Sequence, residues 1–185
     1  GLQGVGLWTG STTAFGWGLT ATSVGAGMYA WAFQPLGAST RPSRLPTSQI
    51  RFSQSEASPE FGEGSWEGMT IPEVAEAVRS GAIIFDHPLE VFVKTAEMDT
   101  WRMTEHTTAS GKVYTGSYSN LQNGQIYTLN NRGFATAILA GLDEVPVVWA
   151  SAGLIEGKSY QLDTRNFGTS VLLRGFNVTI SVPGQ

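Results

Sequence analysis

The sequence contains no cysteine, so neither a disulfide nor a thiolate metal site is open to it. Lysine is scarce, with Lys94, Lys112 and Lys158 the whole set, and the histidines are His87 and His106. Charged side chains make up only 14% of the chain and the net charge is −4. That excludes the broadly basic surface of a general nucleic-acid binder. The first 40 residues carry no charged side chain at all. They still do not read as a membrane span, because Gly, Ser, Thr and Gln interrupt every window of about 20 residues. The chain opens on Gly1 with no basic segment, so no signal peptide is expected either.

Catalytic motifs are missing too. There is no G-x-S-x-G elbow, no H-E-x-x-H and no G-x-x-x-x-G-K loop. Asp86-His87 and Glu105-His106 are adjacent pairs without the further ligands that zinc needs, so each reads as a turn or a surface pair. The expectation is a protein that is not an enzyme and holds no metal and no cofactor.

What is present is glycine, at 23 residues, nine Phe, and short extended runs between turn signals. This composition predicts an all-β domain of 185 residues with one full core. The clearest local signal is a helix over 71–80. Thr70 and Glu73 form a capping box, Pro72 falls in the first turn, and Ile71, Val74, Ala75 and Val78 make one apolar stripe. Gly81 ends it. Extended runs are predicted at 82–85 and 89–95.

Residues 1–34 place Trp8, Trp17, Tyr29, Trp31 and Phe33 among small residues, with Tyr29, Trp31 and Phe33 alternating with alanine. They predict an uncharged arm and first strands with one aromatic face. That face is either a core strand with a tight neighbour, a subunit contact or a glycan platform. Residues 35–69 read as a long loop punctuated by Pro35, Pro42, Pro46 and Pro59, with a short strand near 49–53. Within it Trp66 is the best glycan contact, or else a loop anchor folded onto the domain.

Further on, Asn123-Gly124 predicts a hairpin between 117–122 and 125–129. The apolar run 134–140 predicts a buried strand. Val145–Trp149 is extended, with Pro146 pointing to an edge or bulge, and short strands are expected at 159–163 and 169–173. In the last strand Phe176, Val178, Ile180 and Val182 are predicted to share one face. With eight to ten strands and no repeat, the best fit is a two-sheet antiparallel sandwich, a jelly roll with one short helix.

The chain begins Gly1-Leu2-Gln3 and ends Pro183-Gly184-Gln185. A first Gly and a last Gln resemble the products of Gln/Gly polyprotein cleavage by the chymotrypsin-like cysteine protease of picorna-like viruses. In length and fold pattern the chain is similar to the small coat proteins of the secovirus family, of the three-coat-protein cheravirus type. The resemblance implies a jelly-roll subunit of an icosahedral plant RNA virus capsid, located in the virion and assembled in the host cytoplasm. It implies other capsid proteins and copies of itself as partners, no membrane, and contact with genomic RNA that is either sparse, through Arg or stacking aromatics, or left to other coat proteins. Two other classes fit the residues: a carbohydrate-binding sandwich module carried by Trp66, and an adhesin or pilin-like subunit that adds a strand to its neighbour.

Overall fold

The computed structural model describes residues 41–185. The arm at 1–34, with Gly1 and the five aromatic residues Trp8, Trp17, Tyr29, Trp31 and Phe33, lies outside the described residues. In chain order the elements are β1 (Arg44–Pro46), β2 (Ile50–Phe52), β3 (Glu56–Ala57), α1 (Ile71–Arg79), β4 (Leu89–Val93), β5 (Glu105–Thr107) and β6 (Val113–Thr115). Then come β7 (Ile126–Thr128), α2 (Asn131–Leu139), β8 (Glu144–Trp149), α3 (Ala152–Gly157), β9 (Ser170–Leu173) and β10 (Val178–Ser181).

Helix α1 forms as its sequence dictates. Thr70 Oγ1 accepts from Glu73 N, and Glu73 Oε2 accepts from Thr70 N at 2.8 Å, so both halves of the capping box are made. These bonds hold the Glu73 carboxyl below the usual carboxylate range, the Thr70 backbone N–H contributing most. Gly81 takes φ +78° just beyond the helix.

Strands predominate among the described residues, but their sheets are mixed. A five-stranded sheet runs in the order β1-β8-β4-β7-β2 and is mixed: β2 is parallel to β7, and β4 is parallel to β8 but antiparallel to β7. A three-stranded sheet, β10-β9-β3, is also mixed, and β5-β6 is a separate hairpin. Among the described residues no clear two-sheet antiparallel sandwich is present. The cause is burial on both faces of the large sheet. Leu89, Val91, Ile126, Val145 and Val147 face one core with Val74 of α1 and Phe134 of α2. Phe92, Tyr127 and Leu129 face a second core with Met98, Tyr118, Ile155 and Leu162. A sheet covered on two sides tolerates parallel pairs, and its covering layers are helices and turns.

Several expectations change with this arrangement. The long loop at 35–69 carries β1, β2 and β3, and β2 is the short strand expected near 49–53. The run at 134–140 belongs to helix α2. It is apolar all round because α1, the large sheet and the small sheet all bear on it; Phe134, Ala135, Thr136 and Ala137 are fully buried. Residues 82–85 form no strand: Ile84 is 79% exposed, and Phe85 turns in against Trp66. Asn123-Gly124 makes a turn but no hairpin, since 118–120 is one turn of 3-10 helix. That turn serves the buried Lys94, whose ammonium donates to Asp99 Oδ1 at 2.9 Å, Thr95 O at 2.9 Å and Asn123 Oδ1 at 3.1 Å. Residues 159–161 likewise form one 3-10 turn. Pro146 lies inside the sheet, opposite Arg44 of β1; the ladder bond to β1 beside it is made by Val147 N to Ser43 O, and the β4 pairing opens only at Leu89↔Val147, so no ladder bond calls on its missing N–H. In the last strand Ile180 and Val182 are buried, but Val178 and Phe176 are exposed because the β9–β10 hairpin runs out past the core.

Candidate functional site

The hairpin β5-β6 stands away from both cores, and its turn explains it. Thr108 and Lys112 exchange backbone and side-chain bonds, and Gly111 takes φ +80° between them. The register sets His106 directly opposite Tyr114, so the two rings share one face at 6.5 Å between centroids. On that face Tyr160 stacks on His106, centroids 5.0 Å apart and planes 28° from parallel. The base of the hairpin is clamped. Thr104 N donates to the buried Ser159 Oγ at 2.7 Å. At Gly116 an added Cβ would lie 2.1 Å from Ser159 O, so only glycine permits the approach.

Cations gather on the same face. The Lys112 ammonium lies 4.5 Å from the centre of the Tyr114 ring. Arg174, from the β9–β10 turn, lies near the Tyr114 hydroxyl as well. Lys112 first and Arg174 second pull that phenol below its ordinary pKa by favouring the phenolate. The Arg174 Nε is 3.3 Å from Glu56 Oε2. Glu56 in turn borders a shallow depression of about 230 Å³, lined also by Ser55, Arg165, Asn166, Ser170 and Leu172.

A buried polar knot fixes these segments relative to one another. Asn131 Oδ1 accepts from Ser53 N at 2.9 Å and Gln54 N at 3.3 Å, and its Nδ2 donates to Ser53 Oγ at 2.9 Å. Asp163 Oδ1 accepts from Ser55 N at 2.9 Å. The loops after β2, before α2 and before β9 are therefore tied together, which sets Glu56 and Arg165 in place. Nearby, Lys158 pairs with Glu90 at 2.6 Å, both side chains about a third exposed.

The residues singled out from sequence fare differently. Trp66 is only 8% exposed, edge-on to Phe61 at 5.2 Å and to His87 at 4.9 Å. It is the loop anchor and offers no ring face to a sugar, which corrects the glycan reading of this residue. Gln185 uses its Oε1 to accept from Arg51 Nη2 at 2.7 Å. His87 lies 3.9 Å from Asp86, whereas Glu105 and His106 are successive strand residues and point to opposite faces. Sequence reasoning missed the grouping of His106, Tyr114 and Tyr160 with Lys112 and Arg174. The available signal was an aromatic residue on either side of Ser110-Gly111; Tyr160 and Arg174 arrive through tertiary packing alone.

Among the described residues, no group of three or more His, Asp and Glu is arranged to hold a metal ion, and no helix is long and apolar enough to cross a membrane. No protein-family model matches the chain, and no curated protein and no solved structure matches it.

Proposed function

We propose that this chain binds single-stranded nucleic acid across the face of the β5-β6 hairpin. One observation carries the reading: three rings and two cations from three separate chain segments converge on one exposed surface. Sequence-tolerant strand binding combines those ingredients, stacking at about 1–3 kcal/mol per base and cations that track the phosphates. Lys112 and Arg174 supply positive charge beside the Tyr114 hydroxyl, a donor for a phosphate oxygen. Charge distribution supports the same reading. Of the 15 acidic residues only five fall in 101–185, where six of the 11 Lys and Arg lie. Ten acidic residues lie in 41–100, largely around α1, and of these Glu56 is ion-paired with Arg174.

The test is fluorescence anisotropy with a labelled 12-nucleotide single strand at low salt. Saturable binding is expected, with Lys112→Gln and Arg174→Gln each weakening it at least threefold and the pair at least tenfold. The strand is expected to be recovered at full length, in keeping with a non-enzymatic role. Absence of binding by the wild type, or variants that bind as well as it does, would contradict the proposal, and cleavage would contradict its non-enzymatic part.

A second reading, a structural subunit of a picorna-like coat with sparse RNA contact, is favoured by the edge of the small sheet. Strand β10 pairs only with β9 among the described strands, and Val178 and Phe176 are exposed along it. Such an edge offers unpaired backbone groups to another chain. Sedimentation velocity tests it: concentration-dependent association abolished by Val178→Lys is expected, and a monomer at high concentration would oppose it.

A further inference from the structure

Phe167 is a large apolar side chain that the fold holds out into solvent. It is 53% exposed, and its backbone takes φ +54°, a left-handed conformation that a phenylalanine rarely adopts. The surrounding structure enforces that conformation. The Phe167 carbonyl accepts from the Tyr127 hydroxyl at 3.1 Å and from Arg51 Nη1 at 3.5 Å. Gly168 N donates to Thr164 Oγ1 at 2.9 Å and to Asn166 Oδ1 at 3.1 Å. Gly168 itself is left-handed and pressed on β2, where a Cβ would fall 2.2 Å from Phe52 O. Strain kept by this many bonds, at an exposed aromatic residue, calls for a role outside folding.

The neighbours say which role. Arg165 is exposed two residues before Phe167, and Arg51 lies under its carbonyl. Arg165 and Asn166 line the same shallow depression as Glu56, and Glu56 pairs with Arg174 beside Tyr114. These links trace a strip: Lys112 and Tyr114 to Arg174, Arg174 to Glu56, Glu56 across the depression to Arg165, and Arg165 along the chain to Phe167. Aromatic residues stand at both ends, with Arg174, Arg165 and the ion-paired Glu56 between.

We infer that Phe167 is a base-stacking platform at the far end of this strip, and that it makes the surface select unpaired strands over duplex. The inference rests on the nucleic-acid reading above. A base in a duplex has both faces covered by its neighbours, so a protein ring gains contact only with an unpaired base. Phosphate contacts through Arg174 or Arg165 are open to both forms.

The experiment compares a 12-nucleotide single strand with the same sequence in duplex, for the wild type, Phe167→Asn, Phe167→Trp and Arg174→Gln. Asparagine tolerates the left-handed backbone, so it removes the ring without adding strain. The expected result is at least a tenfold preference of the wild type for the single strand. Phe167→Asn loses about fivefold or more on the single strand and nothing on the duplex. Phe167→Trp retains the preference, and Arg174→Gln weakens both forms alike. Unchanged affinities in Phe167→Asn, or equal losses on both forms, overturn the inference while leaving the binding reading intact. No binding of either nucleic acid by the wild type overturns both.

Discussion

Tyr114 is the residue on which the electrostatics of the surface are most easily read. Lys112 first and Arg174 second lie near its phenol and lower its pKa below the ordinary tyrosine value. Tyr118 and Tyr127 lie in the second core and are pushed the other way by burial, Glu156 adding to the effect at Tyr118. A spectrophotometric titration is therefore expected to split, with one tyrosine ionising early and two late. Lys112→Gln should return the early phase toward pH 10; an early phase that survives the substitution would assign it elsewhere. The two late groups also set a pH limit on the fold. Their folded pKa values exceed the unfolded value of about 10, so the folded state retains protons that the unfolded state gives up. Their contribution is intact below that pH and falls as pH rises above it, which alkaline urea titrations would show. Asn131 is a second test at this scale. Asn131→Ala strips the acceptor from two backbone N–H groups, Ser53 and Gln54, and is expected to cost about 1–3 kcal/mol in urea unfolding. The pairings of Tyr114 with Arg174 and of Asn131 with Ser53 and Gln54 are not legible in the sequence, because each joins residues far apart in the chain.

At the scale of elements, the local grammar of the sequence separates what was readable from what was not. Helix α1 was fully legible: cap, proline, apolar stripe and terminal glycine all lie within twelve residues and agree. From sequence, the run 134–140 of helix α2 reads as a strand because its residues are apolar on every side, and periodicity carries no information when both faces are buried. The overlooked signal was Asn130, whose side chain accepts from Gly133 N at 3.0 Å and caps the helix. Asn130→Ala should cost about 1 kcal/mol, and Asn130→Asp should recover most of it. The hairpin offers a sharper test, because Gly116 is the point where it meets the body. Gly116→Ala forces the hairpin away from Ser159 and Leu162, so His106 should leave Tyr160 and strand affinity should fall. The far-UV circular dichroism of α1 and α2 should stay unchanged. Loss of the whole fold, or binding as strong as the wild type's, would show that the hairpin is not a separable binding element.

The whole molecule teaches a lesson about sums. A net charge of −4 excludes a uniformly basic surface, and it does so correctly. It says nothing about where the charges lie, and here the carboxylates cluster in the first described half while rings and cations meet in the second. The β-rich class was legible from glycine content and short extended runs. The mixed pairing was not, since strand direction is decided by which loops cross the sheet and which helices cover it. In the nucleic-acid reading Lys112, Arg174 and Arg165 hold the phosphates. That reading is tested most directly by the salt dependence of single-strand binding. Three phosphate contacts predict a slope of about −2 in the logarithm of the association constant against the logarithm of salt concentration, and a shallower slope by about 0.7 for each cation removed. A flat plot, or a slope that Arg174→Gln leaves untouched, would contradict the account.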